Sequence, residues 1–135
     1  MNLFLDTNIL SKIINGREKN FRTNSAKSLA NGDTHFSSVI VRFELEYGAA
    51  KSPHPILTRQ KQALVLSKIT TFFEFSIEDA DIAAKIRLNL ENRGLPIGEY
   101  DVLIAAQAIR TNSIMVTNNH KHFSRVEGLH VIDWA

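Results

Sequence analysis

Met1-Asn2-Leu3-Phe4-Leu5-Asp6-Thr7-Asn8 decides how the rest of the chain is read. Its apolar run, Leu3-Phe4-Leu5, stops at Asp6, and Thr7-Asn8 begin what reads as a helix. A short apolar strand with a carboxylate at its C-terminal end has the form of a central strand in an open α/β sheet, buried on both faces. In such sheets ligands sit beyond the carboxyl ends of the strands, where strand order reverses, so Asp6 is expected in that crevice.

Outward from this strand, short apolar segments alternate with amphipathic ones. Helical spacing runs over 9–14, 20–31, 39–51, 56–69, 76–92 and 98–110. Asn15-Gly16, Gly32-Asp33, Pro53-His54-Pro55 and Asn92-Arg93-Gly94 punctuate these spans. The β-branched and aromatic stretches 35–38, 70–75, 113–117 and 129–132 read as strands, and 119–123 as a short turn. Val39, Phe43 and Tyr47 form the apolar stripe expected of the third helix. The Gly98 to Arg110 helix is apolar almost all round and is expected to be buried. The expected fold is one α/β domain over residues 1–135, a sandwich of helices on both faces of a parallel sheet of about five short strands.

The global numbers set wide bounds. A chain of 135 residues can bury roughly two-thirds of its unfolded surface without staples. It has no cysteine, which excludes disulfides, thiolate zinc sites and a thiol nucleophile. No apolar run approaches a membrane span and no leader pattern opens the chain, so a cytoplasmic location is expected. The net charge of +2 and pI near 9.0 permit a polyanionic partner without demanding one.

Chemistry enters through three acids that this fold can gather. Asp6 ends the first strand, Glu44 lies in the early turns of the helix after the second, and Asp101 lies in the first turn of the buried helix. Singly, each has an ordinary reading: a turn cap for Asp6, a solvated face for Glu44, an N-terminal cap for Asp101. Jointly, carboxylates within a few ångströms raise one another's pKa unless a cation lies between them. With no Cys and no paired His at zinc spacing, the set suggests a hard divalent ion, Mg²⁺ or Mn²⁺, bound through oxygen and water. Such an ion is suited to phosphodiester chemistry.

Leu5-Asp6-Thr7-Asn8, the run from Phe43 to Lys51, the run from Pro96 to Ala106, and Val116-Thr117-Asn118-Asn119 closely resemble the motifs of PIN-domain proteins. Within that family they resemble the VapC toxins of bacterial toxin–antitoxin pairs, and the likeness spans the chain in the right order. The resemblance implies a metal-dependent endoribonuclease toxin, neutralised by a VapB-type antitoxin whose C-terminal segment lies over the acidic crevice, and a homodimer. It implies that Asp6, Glu44 and Asp101 bind the metal, with Asn8 and Thr117 orienting ligands or water. Near relatives with the Pro96-Ile97-Gly98 arrangement are associated with transfer RNA, the initiator anticodon loop in particular.

The pattern departs at its fourth site. Many family members place an Asp where this chain has Asn119, and many VapC toxins an acid where it has His122. Asn119 is expected to line that site through its amide oxygen, Glu99 reads as helix-dipole pairing, and His120 and His122 read as a solvated turn, although an imidazolium there could contact phosphate. Arg42, Lys12, Arg110, Lys121 and Arg125 are candidates for an RNA path, Arg42 foremost. Trp134, Phe72, Phe73 and Phe75 could stack bases, but core or dimer packing is the better reading. Two rival functions remain. A haloacid-dehalogenase-type phosphatase wants an Asp where this chain has Asn8. A non-catalytic, receiver-like or antitoxin-binding module would use the same sheet, and a receiver wants adjacent acids and a late Lys.

Overall fold

The computed structural model describes residues 1–135. Its elements are β1 (Asn2–Leu5), α1 (Thr7–Asn15), α2 (Lys19–Ala30), β2 (Thr34–Ser38), α3 (Val39–Ala50) and α4 (Pro55–Leu66). There follow β3 (Thr71–Phe73), α5 (Ile77–Asn92), α6 (Glu99–Arg110), β4 (Ile114–Val116), α7 (His120–Phe123) and β5 (Val131–Ile132). All strand pairs are parallel and the order is β3-β2-β1-β4-β5. Being central explains the unbroken apolar run of β1: Leu3, Phe4 and Leu5 are all at most 1% exposed.

The first two crossovers step one way along the sheet and the last two step back. Right-handed connections therefore put α1 to α4 on one face and α5 to α7 on the other. The packing agrees, for α1 touches α2, α3 and α4, while α5 lies along α6. Strand order reverses between β1 and β4, whose register pairs Leu5 with Val116. The crevice of the fold thus opens just beyond those two residues.

Local chemistry fixes the elements around it. Ile9, Leu10, Ile13 and Ile14 give α1 one buried face, and Gly16 ends it in the left-handed region at φ 66°. Arg22 lays its guanidinium over that glycine, donating to the carbonyls of Ile13 at 2.8 Å and Ile14 at 2.9 Å. A Cβ on Gly16 would stand 2.3 Å from Arg22 Cζ, so both the turn and the cap require glycine. On the other face Ser76 caps α5 with Asp79 in a reciprocal box. Arg110, at the end of α6, donates to both oxygens of that buried Asp79, with Nη2 to Oδ2 at 3.1 Å.

Several expectations are corrected here. Arg110 is an internal counterion, not a substrate contact, because Asp79 has no other cation. The third strand is the shorter Thr71–Phe73, an edge strand pairing with β2 alone, and 120–123 forms a helical turn. On α3 it is Val41, Leu45 and Ala49 that are buried, and the stripe Val39, Phe43, Tyr47 faces outward. Core packing holds for the aromatics: Trp134 is buried against His35 with ring centroids 5.5 Å apart, and Phe73 packs on Phe4 and Phe36.

Candidate active site

Asp6 leaves β1 and becomes the N-cap of α1, its Oδ1 accepting from the Ile9 N–H at 2.9 Å. The cap reading and the crevice reading are therefore both true of one side chain. It is 3% exposed. Burial pushes its pKa up to about 6, the Thr117 hydroxyl and the Ile9 N–H pull against that rise, and the charges of Asp101 and Glu44 add to it.

Glu44 comes from α3, which Ser38 caps by accepting from Ile40 N at 3.0 Å. It lies one position before the buried Leu45 and is itself half-buried. Crowding by Phe43 and Tyr47 does not place it, since both are exposed. A hydrogen bond does: Thr7 Oγ1 donates to Glu44 Oε1 at 2.7 Å. The sequence gives no sign of this role for Thr7, because nothing in a local pattern signals a bond between residues so far apart in the chain.

Asp101 sits in the first turn of α6, yet no side chain caps that helix and the Asp101 carboxylate accepts no hydrogen bond from the chain. The capping alternative is thereby removed. Gly98 makes room for it, since a Cβ there would press on Asp101 Oδ2 at 3.3 Å. Burial raises the Asp101 pKa, the negative charge of Glu44 raises it further, and His122 offsets part of the rise.

The fourth corner is the β4–α7 link. Thr117 is fully buried beside Asp6, and its Oγ1 accepts from Asn119 N at 2.8 Å. Asn119 Nδ2 in turn lies 2.9 Å from His122 Nδ1. His120 is exposed as expected, whereas His122 is half-buried and tied down. Asn8 is exposed and makes no side-chain hydrogen bond, so it does not brace the acids. Among the cations, Lys12 is paired with Glu18 and Arg125 donates to the Pro96 carbonyl at 3.3 Å. Arg42 lies over the Phe72 ring at 5.5 Å, and Lys121 is exposed and unpaired.

The acids bear on one another as charges, but no three acidic or imidazole groups stand close enough to clasp an ion unaided. The donor set fits a cation that takes one or two carboxylates directly and fills its shell with water, as Mg²⁺ does. Asp6 is buried, whereas Glu44 and Asp101 are half-buried.

The PIN domain model matches residues 3–129. The chain is 37% identical to Ribonuclease VapC2 of Rickettsia felis over 130 residues, 96% of each protein. It is 33% identical to the tRNA(fMet)-specific endonuclease VapC of Shigella flexneri, covering 100% of this chain and 99% of that one. Its fold matches the crystal structure of VapBC2 from Rickettsia felis bound to a promoter DNA fragment with a TM-score of 0.91, 36% identity and full coverage of both chains. By sequence and by fold, the chain belongs to the PIN-domain family and, within it, to the VapC proteins.

Proposed function

We propose that this chain is a divalent-metal-dependent endoribonuclease toxin, cytoplasmic and neutralised by a VapB-type antitoxin. Transfer RNA is its substrate class, as the name of the Shigella relative suggests. The observation that carries the chemistry is the convergence of Asp6, Glu44 and Asp101 on one crevice, with no Lys or Arg paired to any of them. No helix of the chain is long and apolar enough to cross a membrane.

In this reading Asp6 and Asp101 hold Mg²⁺ or Mn²⁺, with Glu44 as the third acid. When bound, such an ion supplies Lewis-acid polarisation of the phosphoryl group and a more acidic water. Asp6 is oriented by the Ile9 N–H, and Glu44 by Thr7. Thr117 and Asn119 order the β4 end of the crevice. A phosphatase or receiver would need acids at other positions, and the family assignment sets both aside.

Purified chain incubated with transfer RNA should cut it in Mg²⁺ or Mn²⁺ and stop when EDTA is added. Asp6→Asn and Asp101→Asn should each reduce cleavage by ~10²-fold or more, the scale of removing one group that acts on transition-state charge. Persistence of cleavage without metal, or in either variant, would sink the proposal.

A further inference from the structure

The basic side chains that the sequence offered for an RNA path are mostly engaged elsewhere, Lys12 with Glu18, Arg110 with Asp79, Arg125 at the Pro96 carbonyl and Arg42 over Phe72. His122 differs. It is the one basic group among the charges that bear on Asp6 or Asp101. Its position is built, since Phe123 beside it is fully buried and anchors α7, and Thr117 holds the Asn119 backbone.

The hydrogen bond from Asn119 also decides which ring nitrogen is free. With the amide nitrogen donating to Nδ1 at 2.9 Å, the neutral ring carries its proton on Nε2. No group of the chain accepts from Nε2. A half-buried donor held near Asp101, on the same β4–α7 link as Thr117 and Asn119, repels no anion and offers one a hydrogen bond.

We propose that His122 is a substrate-binding residue that donates from Nε2 to a non-bridging phosphate oxygen of the RNA at the crevice. The role rests on the nuclease reading above. Asn119 is then a positioning residue acting through His122. The fourth corner holds substrate, and the cation belongs to the other three.

The test uses a labelled initiator-tRNA anticodon stem-loop and the full chain. In an Asp6→Asn background with EDTA, which prevents cleavage, His122→Ala should weaken binding about tenfold, the worth of a hydrogen bond to a charged group. His122→Gln, which keeps a donor at similar reach, should restore most of it, and His122→Glu should bind weakest. In the otherwise unaltered enzyme, His122→Ala should raise KM by a similar factor with kcat little changed. Equal binding by the Ala variant overturns the proposal, as does a Glu variant that binds as well as Gln or cleaves faster at limiting Mn²⁺. Should the Ala variant not fold, the Gln and Glu pair decides. If the parent cuts no RNA, the nuclease reading itself has failed; if the parent cuts and the His122 variants match it, this inference alone falls.

Discussion

Of the aspartates at the N-terminal ends of helices, two are sealed from solvent: Asp6 at α1 and Asp79 at α5. Around Asp79 burial pushes the carboxyl up, but the Arg110 guanidinium and the Ser76 backbone and hydroxyl outweigh it and hold the group below the usual range. Around Asp6 no cation answers, its charged neighbours are Asp101 and Glu44, and it is pushed up to about 6. Equal burial thus has opposite effects according to whether the chain supplies the opposite charge. The chain supplies the counter-charge at one site and not at the other.

The hardest way to break that comparison is to make the completed site resemble the open one. Arg110→Met leaves Asp79 buried and unpaired, and should cost about 3–5 kcal/mol of stability in a urea titration. A loss under ~1 kcal/mol would show that the pair is not structural. Since the Asp79 pKa is lowered in the fold, its contribution is present above the ordinary carboxylate range and lost as pH falls through the native value. The variant should therefore denature with a flatter dependence on acid.

For Asp6 the sign reverses. Its native pKa of about 6 lies above the ordinary 3.8, so its own contribution to the metal-free fold is fully present below about pH 4 and is lost as pH rises through 6. Asp6→Asn keeps a competent cap and removes the charge, so near pH 7.5 it should stabilise the metal-free chain on the order of 2 kcal/mol. Thermal melting with and without Mg²⁺ checks this. The ion should raise the midpoint of the parent at pH 7.5 and leave Asp6→Asn unmoved, and a variant that melts lower than the parent would contradict the comparison.

The smallest effect concerns how the open site is held. Thr7→Val removes the hydroxyl that fixes Glu44 without touching the core, and on the proposed role of Glu44 should lower kcat about tenfold. Melting should shift little. An unchanged kcat would mean that Glu44 needs no such orientation.

What the sequence showed and hid follows from the range of the interactions. Leu3-Phe4-Leu5 announced a central strand because burial on both faces is written in consecutive residues. The three acids were legible because each sits at the end or first turns of an element that local pattern defines. The Thr7–Glu44 bond and the Asp79–Arg110 pair were not, since each joins residues more than thirty positions apart that share no periodicity. Arg110 looked like a surface cation for that reason. The stripe Val39, Phe43, Tyr47 misled in another way: its spacing is helical, but periodicity does not say which face of a helix meets the sheet.

The pairing of β1 with β4 joins the start of the chain to a strand near its end, with Leu3 against Ile114. A nascent polypeptide emerging from the ribosome carries Asp6 through most of its own synthesis while the neighbouring strand is still unmade. Fragments released early lack one wall of the cleft. For a nuclease, that delay leaves each half-made copy without an assembled cleft until its synthesis is nearly complete.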